Sequence, residues 1–154
     1  MRARTVQVGI ARPWAEVCDY LADPLNFRRW APWIGASLRR RKGDWLATRS
    51  DGTRVKVRFA APNAYGVADH CVLAAQDQAV FIALRAVPHG SGAEVLLTVL
   101  GEPGEAGAAP ASWAASARAG LAALKAALER PRQPVVLAAA GAAEHEMQAV
   151  LLSR

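Results

Sequence analysis

The sequence predicts an α+β domain in which one long C-terminal helix is laid across a curved sheet. Three observations carry this reading. First, residues 112–130, SWAASARAGLAALKAALER, place Trp113, Ala117, Gly120, Leu121, Leu124 and Leu128 on one face at three- and four-residue steps, the 3.6 period of a helix. Second, from Ile34 to Leu100 apolar residues instead recur at every second position, in short runs separated by turn-forming pairs. Third, these runs are preceded by one alternating strand and two short helical segments, and the order strand, two helices, six strands, helix is an α+β layout.

Taken in order, residues 5–10 alternate, with Val6, Val8 and Ile10 on one side. Pro13, suited to a first helical turn, opens a helix whose buried face is Trp14, Val17, Cys18 and Leu21. Asp23 and Pro24 begin a second, which points Leu25, Phe27 and Trp30 inward and stops at Pro32. Strands are expected near residues 34–41, 44–49, 53–59, 67–74, 79–87 and 93–100. Their turns are Lys42-Gly43, Asp51-Gly52, the longer 62–66, Gln76-Asp77 and 89–92, rich in residues that tolerate unusual backbone angles. Within 53–59, Arg54, Lys56 and Arg58 share one face, and charge assigns that face to water. By the same rule Arg85 and Glu94 point outward, which leaves Val80, Ile82, Leu84, Val95, Leu97 and Val99 toward the helix. A Gly/Ala/Pro link at 101–111 leads to the long helix, which Ser112 can cap and Pro131 stops.

The chain has 154 residues, 53% of them apolar, enough for one domain with a real core. The domain is expected over 1–130, with 131–154 as a partly helical C-terminal extension. Residues 136–152 have a partial apolar face that is marginal alone and offers a surface for the same domain or for a homodimer. The net charge of +6 favours acidic partners. No secretory signal pattern opens the chain, and the later apolar run 135–143 falls well short of the roughly 18 residues of a membrane span. A soluble cytoplasmic protein is expected. Cys18 and Cys71 stand far apart in no metal-like spacing and read as buried thiols. No P-loop, G-x-S-x-G or His/Glu metal cluster is present, so neither cofactor nor metal is expected.

The stretch VQVGIARPWAEVCDYLADPLNFRRW, with Pro13, Val17, Tyr20, Leu21, Asp23, Pro24, Asn26 and Trp30, resembles the opening of the START/SRPBCC superfamily. The later PNAYGVADH and LRAVPHGSGAEVLLTV resemble its bacterial polyketide cyclase/dehydrase-like branch. The resemblance runs from about Thr5 to Glu129. It implies the helix-grip fold of the birch-pollen allergen, a seven-stranded sheet wrapped around the C-terminal helix and enclosing an apolar cavity. It also implies binding of lipids, sterols, polyketides or hormones, and in some members cyclisation, hydration or ring oxygenation. No Rieske iron-sulfur pattern occurs, which removes the oxygenase branch. The family often has an acidic residue where Ala64 stands, so this loop is a poor candidate for acid/base chemistry. Residues 131–154 lie beyond the family's usual end.

Asp69 and His70 are the most suggestive pair, but neighbours on a strand face opposite ways and, unless a bulge intervenes, cannot act on one substrate. Asp69 is expected outward near Arg54, Lys56 or Arg58. His70 is expected inward beside Ala68, Val72 and Ala74, where an imidazole is either hydrogen-bonded to a backbone carbonyl in the core, a ligand contact, or a general base. Trp30, Trp33, Trp45, Tyr65 and Trp113 are candidates for a cavity rim, with core packing the alternative for Trp113. Candidate ligand-lining residues are Trp30, Trp33, Val57, Phe59, His70, Val72, Ile82, Leu84, Leu97, Trp113, Ala117 and Leu121. His89 and His145 are expected in solvent. The basic run Arg39, Arg40, Arg41 and Lys42 lacks the stacking aromatics of a nucleic-acid surface, so no nucleic-acid partner is expected. Three functions stay open: binding a small hydrophobic or aromatic molecule between helix and sheet, cyclase/dehydratase chemistry with His70 as base, and an interaction protein with a filled core.

Overall fold

A computed structural model describes residues 3–73, 79–100 and 111–131. Seven strands form one antiparallel sheet: β1 (Ala3–Ile10), β2 (Arg39–Arg41), β3 (Asp44–Thr48), β4 (Arg54–Phe59), β5 (His70–Leu73), β6 (Ala79–His89) and β7 (Gly92–Leu100). Their spatial order is β1-β7-β6-β5-β4-β3-β2, a meander from β2 to β7 with β1 added beside β7. Between β1 and β2 lie helix α1 (Trp14–Ala22) and a 3-10 helix (Pro24–Arg29). The long helix α2 (Ala111–Glu129) follows β7.

The inward set follows strand alternation. Val55 and Val57 of β4, His70 and Val72 of β5, Ile82 and Leu84 of β6, and Val95, Leu97 and Val99 of β7 are all buried, while Arg54 and Arg58 are exposed. Ala117, Leu121 and Leu124 of α2 join them in one apolar cluster, so the helix lies on the concave side of the sheet. Its C-terminal end is tied down. The Arg12 guanidinium donates to the Leu128 and Arg130 carbonyls (2.9 and 3.0 Å), and the Ala11 amide donates to Glu129 (2.7 Å). A cation on the last carbonyls of a helix meets the negative end of its dipole. Lys125 reaches the Gly9 carbonyl at 2.6 Å, which joins the same helix to the end of β1.

Local chemistry sets the boundaries. Pro13 occupies the N-cap of α1, its carbonyl accepting from the Val17 amide (3.2 Å). Asp23 caps the 3-10 helix by accepting from the Leu25 amide (2.9 Å). Lys42 and Gly43, both at positive φ (50° and 87°), make the two-residue turn that the twist of a hairpin favours.

Several expectations are corrected. Residues 34–38 are not strand: the Ile34 and Gly35 amides both bond back to the Ala31 carbonyl, and Gly35 turns the chain at φ 94°. Ile34 and Leu38 are instead buried plugs at this end of the core. Strand β5 starts at His70 and not at residue 67, with Val67 making only an isolated bridge to Arg85. Leu25 and Val80, expected inward, are each 39% exposed. The Gln76-Asp77 turn, most of the 101–111 link, the Ser112 side chain and residues 132–154 lie outside the described residues.

Candidate functional site

The expected lining residues come together. Trp30, Trp33, Val57, His70, Val72, Ile82, Leu84, Leu97, Ala117 and Leu121 are buried, and Phe59 and Trp113 are half-buried against them. Register explains the convergence on the sheet: Phe59, His70, Ile82 and Val99 stand opposite one another across β4, β5, β6 and β7. The 3-10 helix and the turn after it deliver the aromatics from the other side. Phe27 touches Trp30 and Phe59, with ring centroids 4.9 Å apart in each case, and meets His70 edge-on at 5.1 Å. Trp33 meets Trp30 and Trp113 at 5.6 and 6.3 Å.

Trp30 and Trp33 are therefore interior residues, 2% and 8% exposed, and not parts of a wet rim. Gly120 of α2 explains their burial: a Cβ there would stand 2.7 Å from the Trp30 carbonyl oxygen and 2.9 Å from the Trp33 ring. The bare helix backbone presses directly on this turn. Of the other rim candidates, Tyr65 is 81% exposed, and Trp45 is half-buried with its ring against Phe59.

His70 is 1% exposed and has both ring nitrogens engaged. The Trp33 indole N–H donates to Nε2 at 3.0 Å, and Nδ1 lies 3.2 Å from the Ala68 carbonyl. Since an indole only donates, Nε2 is the acceptor and the proton sits on Nδ1. The two rings are within 8° of parallel, with centroids 6.3 Å apart. Burial pushes the imidazole pKa down to about 4, against a smaller upward pull from the Ala68 carbonyl. At neutral pH the ring is uncharged.

Asp69 lies on the opposite side, as strand alternation requires, but its partners are on β6 and not on β4. Its carboxylate accepts from the Leu84 amide at 2.9 Å and pairs with Arg85. The Ala68 amide donates to the Leu84 carbonyl, yet the Leu84 amide goes to Asp69, and the Ala68 carbonyl faces His70 Nδ1. Two side chains thus replace one backbone bond of the ladder, which is why regular pairing begins only at His70. The preceding loop is organised by Asn63, whose amide donates to the Ala61 and Val67 carbonyls and accepts from the Tyr65 and Val67 amides. The asparagine of the Pro-Asn-Ala-Tyr-Gly loop is the signal that sequence reasoning left unused.

Two further interior groups were not singled out as ligand contacts by their polar atoms. The Tyr20 hydroxyl on α1 and the Trp30 indole N–H are buried and have no hydrogen-bond partner among the described residues. A cavity of about 20 Å³, room for one water, lies between Cys18, Leu21, Phe59, Ala68 and Asp69. Burial, with a smaller contribution from Asp19, raises the Cys18 thiol pKa, which argues against a nucleophilic role. Among the described residues no three His, Cys, Asp or Glu side chains are grouped to hold a metal, and no helix is long and apolar enough to cross a membrane.

No known family profile matches this sequence, and no curated protein does. Solved structures do share its fold. The XoxI protein of Bacillus cereus is 17% identical with a TM-score of 0.67, over 83% of this chain and 96% of that one. Ara h 8.0201 is 10% identical with a TM-score of 0.57, over 82% and 97%. DynU16, a protein of the dynemicin biosynthetic locus, is 14% identical with a TM-score of 0.64, over 83% of this chain and 47% of that one. Likeness at this identity establishes the helix-grip fold.

Proposed function

We propose that the protein binds a small, mostly apolar molecule carrying a hydrogen-bond acceptor, between α2 and the concave face of the sheet. The observation that carries this reading is that two buried donors, Tyr20 Oη and Trp30 Nε1, have no acceptor among the described residues. A buried polar group left unpaired costs about 1–3 kcal/mol, and a ligand carbonyl that meets one recovers that loss. The fold likeness to Ara h 8.0201 and to DynU16 is in keeping with a ligand-binding fold. Side chains occupy the interior around His70, so the ligand is one admitted by displacing an aromatic ring. Trp113, half-buried and in contact with Trp33, is the ring placed for this.

The experiment is a titration of the full chain with a fluorescent apolar probe and with aromatic ketones, followed by thermal melting. One saturable site and a Tm rise of about 5–10 °C at a hundredfold excess over Kd are expected. Tyr20→Phe, which keeps the ring and deletes the donor, weakens the ketone more than the hydrocarbon probe. If no apolar probe binds saturably, the reading is lost.

Cyclase or dehydratase chemistry through His70 has less in its favour. Both ring nitrogens are committed to protein partners, and a base with a pKa of about 4 accepts protons poorly at neutral pH.

A further inference from the structure

A groove of about 670 Å³ runs between the middle of α2 and the segment 28–37, outside the interior described above. Its apolar floor comes from Ala31, Pro32, Ala119 and Ala123, with Gly120 keeping the helix close to the turn. Arg28, Arg29 and Arg49 stand in its walls, and among the described residues no Asp or Glu lines it. Arg49 is fixed in place, its Nε donating to the Trp33 carbonyl at 3.0 Å. Arg28 and Arg29 have no hydrogen-bond or ion-pair partner among the described residues, and Arg49 lies near enough to Asp51 to help lower that carboxyl's pKa.

The wall is firm. Ser37 Oγ accepts from the Thr48 amide at 2.7 Å and donates to the Thr48 carbonyl at 3.0 Å, which clamps the segment to the end of β3. A Cβ on Gly35 would stand 2.9 Å from the same Thr48 carbonyl, so the two backbones meet closely there. Three guanidinium groups beside an apolar floor, one of which (Arg49) also acts on the Asp51 carboxylate, are complementary to a molecule that is anionic at one end and apolar at the other. The volume lies within the ordinary range for small-molecule sites.

We propose that this groove binds an amphipathic anion, a carboxylate or phosphate monoester bearing a short apolar chain. Arg28, Arg29 and Arg49 hold the charge, while Ala31, Pro32, Ala119 and Ala123 cover the chain. The groove borders the interior site at Trp30, but the arginines it rests on are not among the donors that the interior reading uses.

The test is calorimetric titration of the full chain with octanoate, octyl phosphate, octanol and octylammonium. Saturable binding of one or both anions is expected, with octanol and octylammonium at least about tenfold weaker, and with affinity falling as salt is raised. Preference between the anions identifies the head group, carboxylate or phosphate. Arg28→Gln with Arg29→Gln, and separately Ala123→Glu, each weaken the anions about tenfold. These positions are exposed, so the fold tolerates both changes. Tyr20→Phe, which is not part of the groove, leaves anion binding unchanged and affects only the interior site. Failure of both anions to bind, octanol binding as tightly as octanoate, or wild-type affinity in both groove variants overturns the proposal. None of those results touches the interior reading.

Discussion

His70 is a core residue whose two hydrogen bonds select one neutral tautomer. Protonating Nε2 would set a donor against the Trp33 N–H, in a site that already disfavours charge. The consequence is a pH dependence of stability. In the unfolded chain the imidazole titrates near 6.5, and in the folded protein near 4. Between those values the unfolded state binds the extra proton, so stability is complete above pH 6.5 and declines as pH falls toward 4. The full effect is on the order of 3 kcal/mol. Urea denaturation between pH 7.5 and 5 should show the decline, and His70→Gln, which keeps a donor and an acceptor but does not titrate, should flatten it. The carboxyl pKa values of Asp51 and Glu129 are lowered, chiefly by bonds from the Thr53 backbone and from Lys125, so their influence begins at lower pH. An unchanged slope in His70→Gln would place the proton elsewhere. Asp69 makes a second point at this scale. Asp69→Ala leaves the Leu84 amide buried without a partner and should cost about 1–3 kcal/mol, whereas Asp69→Asn retains an acceptor and should cost less.

At the scale of elements, α2 is positioned by one missing side chain and one cap. Ala is the better helix former by about 1 kcal/mol, so Gly120→Ala would stabilise an isolated helix. In the protein the added methyl meets a backbone carbonyl at 2.7 Å and an indole ring at 2.9 Å, neither of which is a flexible chain end. Overpacking of this kind costs about 1–3 kcal/mol, so a net loss of stability is expected, with the turn at Trp30 and Trp33 pushed away. A gain in stability on chemical denaturation would mean that the helix does not press on the turn. At the other end of α2, Arg12→Ala removes the donors from the Leu128 and Arg130 carbonyls. Hydrogen exchange should show the last turn fraying while the amides of β6 and β7 keep their protection.

The whole molecule carries its +6 charge unevenly. On the convex face of β2, β3 and β4, Arg39, Arg41, Arg54, Lys56 and Arg58 share a surface on which, among the described residues, Asp44 pairs with Lys56 at 2.7 Å. Arg39 and Lys56 sit on either side of Leu46, two strand spacings or about 9–10 Å apart. That separation is close to the screening length at 0.1 M salt, so the repulsion is felt in dilute buffer and mostly removed near physiological strength. The melting temperature should therefore rise by about 2 °C between low and physiological salt. Neutralising Arg39 and Arg54 together with Gln should remove most of that rise. A salt-independent Tm in the natural chain would show that this face is not under electrostatic strain.

By itself the sequence determined the layers and the sides. A period of two sends Val57, Val72, Ile82, Leu84 and Leu97 to one face whatever their partners are, and a period of 3.6 does the same for Ala117 and Leu121. Backbone geometry alone enforces both. What only the tertiary structure decided was every contact made between segments far apart in the chain. The indole that satisfies His70 comes from 37 residues away, and the carboxylate of Asp69 reaches β6 because a ladder bond was given up there. Trp30 and Trp33 are interior because Gly120 lets α2 close on them, an approach distance that no local pattern encodes. Alternation is set by one strand's own geometry, whereas partner choice follows from how separate elements meet, and that is decided only when the core is packed.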